Sequence, residues 1–129
     1  MKQLIYKISL SLLLVSASFL YASAQAPTPG HAAIDANLVI SLDTDAPLTA
    51  DYTFSISTMS FKDEAAAVRY FSLCRDNILT YTVDYAARTA TVHIALEWME
   101  PRGWDVAQYN EYFAKVAERY RNTLAVVNE

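Results

Sequence analysis

The chain holds one cysteine, Cys74, so no disulfide can form within it and the fold must rest on its core alone. Glycine is nearly as scarce. Gly30 and Gly103 are the two present, which excludes a glycine-rich phosphate cradle and a Gly-x-Ser-x-Gly nucleophile elbow. The two histidines, His31 and His93, do not form a His-Glu-x-x-His pair, and an acid–base constellation is hard to assemble around them. These absences predict a protein that is not an enzyme. Basic residues are also in the minority, 10 against 14 acidic, for a formal net charge of −4. Nucleic acids and anionic membranes both demand a cationic footprint, so neither is an expected partner.

One long apolar run is present, and it lies at the start. Ile8 to Leu20 follows Lys2 and Lys7 and precedes the small residues Ala22-Ser23-Ala24. Positive start, apolar middle and small-residue exit are the pattern of a cleavable signal peptide over residues 1–24. The run is 13 residues, short of the about 20 that a transmembrane helix needs. The expectation is a periplasmic or secreted protein, not inserted in a membrane after cleavage. Losing Lys2 and Lys7 leaves 8 basic against 14 acidic residues, a net charge of −6. The remaining 105 residues suffice for one domain, burying roughly 60–70% of its unfolded surface.

Residues 25–35, with Pro27, Pro29 and Gly30, read as a flexible lead-in, and 36–129 as the single domain. Leu38, Ile40 and Leu42 alternate with Asn37, Val39 and Ser41, predicting a strand that Pro47 and its neighbours end. Tyr52, Phe54, Ile56 and Thr58 predict a second. Ser60 and Asp63 have capping-box spacing before a helix over 61–77, whose face carries Ala67, Phe71, Cys74 and Ile78. A hairpin follows, with Leu79, Tyr81, Val83 and Tyr85 on one arm and Ala90, Val92, Ile94, Leu96 and Trp98 on the other, although its turn lacks Asn-Gly or Asp-Gly. Asp105 with Gln108 can cap a last helix whose stripe is Val106, Tyr109, Phe113, Val116 and Tyr120. Leu124 to Val127 is either a closing strand or the frayed end of that helix. Two amphipathic helices over one face of an antiparallel sheet make an α+β sandwich of ferredoxin-like type: a βαββα core plus an extra N-terminal strand.

The stretch from Phe54 to Val92 resembles the heavy-metal-associated domain family, the small carriers built on a Met-x-Cys-x-x-Cys loop. Met59 falls on the family's Met, while Phe61 and Glu64 stand where both cysteines belong. Asn77-Ile78 falls where Gly-Val is usual, and Thr89-Ala90-Thr91-Val92 on the Lys/Thr-x-x-Val segment. The resemblance implies a kept scaffold and a removed thiolate site. Such carriers hold a soft ion between two thiolates at a helix start. Here Phe61 offers no ligand, and the Glu64 carboxylate suits zinc better than Cu(I). A copper or zinc ion held by Met59, Glu64 and His93 is the alternative that the resemblance leaves open.

Each candidate also has a plain structural role. Met59 fills gaps beneath a loop, and Cys74 shares the buried face of Phe71 and Ile78. His93 alternates away from Val92 and Ile94 onto the face opposite the helices, where a lone imidazole is a solvated side chain. Asp43, Asp45 and Asp51 lack the order of a calcium loop. Trp98, Trp104 and Tyr112 surround an exposed connection, where such residues either anchor a partner or close the end of the core. The expected function is an exported, non-enzymatic binding module. It contacts a protein or envelope component through Trp98, Trp104 and Tyr112 or through the Ser/Thr-rich sheet face. The edge of the Leu38 strand can also pair with another copy.

Overall fold

In the computed structural model, residues 28–129 are described, and the leader pattern at residues 1–24 lies outside them. The fold is α+β, with a five-stranded mixed sheet covered on one face by helices. Chain order is β1 (Gly30–Ile34), β2 (Ile40–Leu42), β3 (Asp51–Ser55), α1 (Glu64–Cys74), β4 (Leu79–Asp84), β5 (Thr89–Ile94), α2 (Leu96–Met99), a 3-10 turn (Glu100–Arg102) and α3 (Val106–Val127). The sheet order is β2-β1-β3-β5-β4. Among the described residues no helix is long and apolar enough to cross a membrane.

Alternation builds the sheet. Tyr52, Phe54, Ala90, Val92, Ile94 and Leu79 point one way and are buried, while their neighbours Thr53, Ser55, Thr91, His93 and Thr80 point the other. The buried set meets Ala66, Tyr70, Phe71 and Cys74 of α1 and Tyr109, Phe113 and Tyr120 of α3 in one core. α1 lies over β4, and α3 over β2. Rings knit the layers: Phe71 sits 5.6 Å from Tyr81 and 4.9 Å edge-on to Tyr70. Tyr81 and Tyr120 join their hydroxyls at 2.6 Å across the sheet–helix boundary.

Several sequence expectations change here. The helix over 61–77 is shorter at both ends, because Asp63, not Ser60, is the N-cap and accepts from the Ala66 amide at 2.8 Å. Phe61 is thereby released to pack on Tyr70 and Phe71, at 5.5 and 6.1 Å. α1 ends at Cys74 because Arg75 turns extended and the Asp76 carboxylate takes the Ile78 and Leu79 amides. The second arm of the hairpin stops at Ile94, and Leu96 to Met99 coil into α2 rather than extending the strand. Asp105 and Gln108 form the expected capping box at the start of α3, whose 22 residues run helical to Val127, leaving no closing strand.

The sheet is mixed rather than antiparallel, because residues 30–34 of the expected lead-in are strand β1, parallel to β3. β1 then pairs antiparallel with β2, so there are two strands before the βαββα segment rather than one. Gly30 permits this wedge: a Cβ there would stand 2.6 Å from the Tyr52 ring. The β1–β2 loop is wound on Asp35, whose carboxylate accepts from the Asn37 and Val39 amides at 2.8 and 3.0 Å. Leu38 takes a left-handed φ of 60° in that loop, at a cost of about 1 kcal/mol. Burial of its side chain in the core offsets the strain.

Candidate functional site

The residues aligned with the carrier loop lie between β3 and α1. Met59 is buried and its amide closes a turn onto the Ile56 carbonyl at 3.0 Å. Phe61 is half-buried against α1, and Glu64 is exposed in the first helical turn. At a strand-to-helix junction, this is a packed corner with one carboxylate outside it. His93 is elsewhere. It stands opposite Asp51, the first residue of β3, about 13 Å along that strand from Ser55, and on the sheet face away from Met59. The chain therefore does not bring Met59, Glu64 and His93 together. Among the described residues no three His, Cys, Asp or Glu side chains group closely enough to hold an ion.

His93 instead pairs with Asp51, Nδ1 to Oδ1 at 2.8 Å, with about half of each side chain in solvent. The pair joins two surfaces. One is the open face of the sheet, where the register aligns His31, Thr53, Thr91 and Thr82 in one row and Asp51, His93 and Thr80 in the next. Thr53 and Thr91 bond to each other through their hydroxyls at 3.2 Å. The other is a cleft of about 570 Å³ where β5 gives way to α2, walled by His93, Leu96, Glu97 and Trp98. Its floor is fixed by backbone bonds from Ile94 to the Ala50 carbonyl and from Ala95 to the Ile78 carbonyl, at 2.7 and 2.9 Å.

The three aromatic candidates separate. Trp98 is 54% exposed, and its ring carries the Arg102 guanidinium at 5.7 Å. Trp104 is half-buried, packed at 5.3 Å on Tyr109 and 5.8 Å on Tyr112. Tyr112 donates its hydroxyl to the Asp76 carboxylate, which Arg119 also approaches at 3.5 Å. Burial first, and then this bond, raise the Tyr112 hydroxyl to about 12. Trp104 and Tyr112 thus close the end of the core, and Trp98 alone presents a large apolar surface beside the cleft. Cys74 is buried, and burial pushes its thiol up to about 12 against the opposing pull of Tyr70 and Arg119, so it is unreactive at neutral pH.

Compared with protein-family models, curated proteins and solved structures, the chain matches none. The functional reading is carried by geometry.

Sequence reasoning missed His31 and Asp51. His31 lay in the supposed lead-in, yet it stands on the open face opposite Thr53. Asp51 lay in the supposed acidic loop, yet it begins β3. The signal was present, because alternation of Thr53 and Ser55 extends back to Asp51 and places it on the face of His93.

Proposed function

We propose that this chain is an exported, non-enzymatic binding module on a heavy-metal-associated-like, ferredoxin-type scaffold. Its ligand is a protein or envelope component, engaged through the Trp98 cleft and the adjoining polar sheet face. The observation that carries the reading is Trp98: a large aromatic, 54% exposed, at the rim of a mostly apolar cleft in which His93 and Glu97 supply the polar groups. Exposed Trp is costly to keep in water and is over-represented where partners dock. Phe61 and Glu64 at the strand-to-helix junction support a scaffold whose thiolate positions have been given over to packing and solvent. Export rests on the pattern of residues 1–24.

The test is capture from a solubilised envelope on the immobilised signal-free chain, in parallel with Trp98→Ala. A species held by the unsubstituted chain should be retained about thirty-fold less by the variant, the scale of a hot-spot residue. Amide shifts on adding that species should centre on residues 93–98. Equal retention by Trp98→Ala, or shifts confined to another face, would overturn the proposal.

A further inference from the structure

A five-stranded open sheet has two edges, and this one treats them differently. β2 is three residues long, and the N–H and C=O of Leu42 are taken by the Asn110 carboxamide of α3, at 2.7 and 3.3 Å. That edge is short, and it is closed at both outward residues: Leu42 is plugged by Asn110, and Ile40 is buried. β4 is six residues long, Leu79 to Asp84, paired without a bulge to β5. It contains no proline and no lysine, the usual devices that blunt an exposed edge.

The outward groups of β4 can be identified. The Ile94 amide bonds to Ala50 beside β3, so the even residues of β5 face β3 and the odd ones face β4. Ala95 accordingly reaches the Ile78 carbonyl, and on β4 the even residues bond inward while Leu79, Tyr81 and Val83 point outward. Asp76 occupies both groups of Leu79: its carboxylate accepts from the Leu79 amide at 2.9 Å, and its own amide donates to the Leu79 carbonyl at 2.9 Å. Among the described residues, no hydrogen bond reaches the outward N–H or C=O of Tyr81 or Val83.

We propose that β4 is the seam of a homodimer, in which a second copy adds its own β4 antiparallel about a two-fold axis at Thr82. That register places Tyr81 opposite the partner's Val83 and Val83 opposite the partner's Tyr81. Every outward group of these two residues then finds its complement. It sets Thr80 across from Asp84, so no carboxylate meets another.

The helical layer agrees. Leu73 shares a groove with Lys115, Glu118 and Asn122 of α3, which fixes the flank of α1 that faces α3. At about 100° per residue, Val68 falls on the other flank, overhanging the outer side of β4. It is 51% exposed. Phe71 is level with Tyr81, at 5.6 Å between rings. Val68, one helical turn earlier, is then close to the level of Thr82. The axis through Thr82 therefore brings Val68 towards its own copy, which supplies the apolar cover that strand pairing alone lacks. Because the β2 edge is plugged, assembly ends at two copies. The seam uses no residue of the Trp98 cleft, so it stands or falls separately from the binding proposal.

The test uses the signal-free chain in sedimentation and light scattering over a concentration series, with disulfide mapping. Dimer mass is expected for the unsubstituted chain and for Val83→Thr. Val83→Pro, which deletes only an outward N–H, should be monomeric. Thr82→Cys should cross-link to its copy on mild oxidation, because a non-hydrogen-bonded antiparallel pair brings the Cα atoms to about 4.5 Å, within disulfide range. Thr80→Cys should not, since the register holds its two copies about 13 Å apart. If Val83→Pro fails to fold, the cysteine pair still decides. A monomer at every concentration, a ladder of larger species, a dimeric Val83→Pro, or equal cross-linking of both cysteine variants would each overturn the seam.

Discussion

Three tyrosines in or against the core should respond in opposite senses to loss of one oxygen atom. Tyr70 is 1% exposed and its hydroxyl has no hydrogen-bond partner. The Cys74 thiol, one turn along α1, lies beside it, and sulfur is too weak a partner to stand in for an oxygen or nitrogen. Burial accordingly drives the Tyr70 hydroxyl far above the ordinary tyrosine range. A buried hydroxyl without a partner costs about 1–3 kcal/mol relative to water. Tyr70→Phe removes that cost and keeps the ring against Phe61 and Phe71. It should stabilise the domain by about 1 kcal/mol once the lost oxygen contacts are deducted. Tyr81 and Tyr120 are the reverse case, because their hydroxyls satisfy each other at 2.6 Å. Phe at either position strands the other oxygen and should cost about 1–2 kcal/mol. Phe at both should recover most of that, with a coupling energy of about 1 kcal/mol. In a domain of about 100 residues each kcal/mol moves the melting temperature by about 4–8 °C. Urea titrations and thermal melts of the four variants read both the sign and the size. Destabilisation of Tyr70→Phe by 1 kcal/mol or so, with an unchanged urea slope, would mean that the hydroxyl has a partner and would refute the reasoning.

Other outcomes follow from the same geometry. Asn110→Ala unplugs Leu42 and should lower stability by about 1–2 kcal/mol, while Asn110→Asp keeps the acceptor for the Leu42 amide and should lose less; an unmoved urea midpoint for both would refute this. Alkaline unfolding should begin above pH 9. Cys74 and Tyr112 are raised from 9.0 and 10.0 to about 12 in the fold, so their neutral forms stabilise it fully below those unfolded values, and that contribution is lost as pH climbs through about 12. The part of the phenolate absorbance that Tyr112→Phe removes should therefore change together with the ellipticity, and titration of that part in an intact fold would count against the burial. Thiol reagents should leave Cys74 unmodified in the native chain and label it fully in urea; rapid native labelling would mean that the α1–α3 layer opens.

What could be read from the sequence was local. Strands β3, β4 and β5 announce themselves by alternation, α3 by its stripe and by Asp105 with Gln108, and His93 by its phase against Val92. β1 was not legible because Gly30-His31-Ala32-Ala33-Ile34 has little strand propensity of its own; the segment is a strand because β3 and β2 offer it hydrogen bonds on both sides. The parallel pairing of β1 with β3 is likewise a long-range choice that no periodicity encodes. Leu96 and Trp98 keep strand-like spacing across a bend, and a period of two over so short a stretch does not exclude a helical turn. At the start of α1, Ser60 and Asp63 compete as caps. The winner is settled by where Phe61 packs, which is tertiary information. The cleft beside Trp98 was legible only as an exposed aromatic; its other wall, His93 with Asp51, required the strand register.

The position of β1 has a practical corollary. β2 touches the sheet only through β1, so the first strand among the described residues is a middle plank and not a fringe. Shortening the front of the protein past Pro29 would cut that plank. β2 would lose its neighbour, and the floor beneath Tyr52 would open to water. A bulky tag joined closely at that point would press on an interior strand, whereas at the far end Val127 is buried and Asn128 holds the Ser60 and Lys62 backbone, and Glu129 beyond them is exposed.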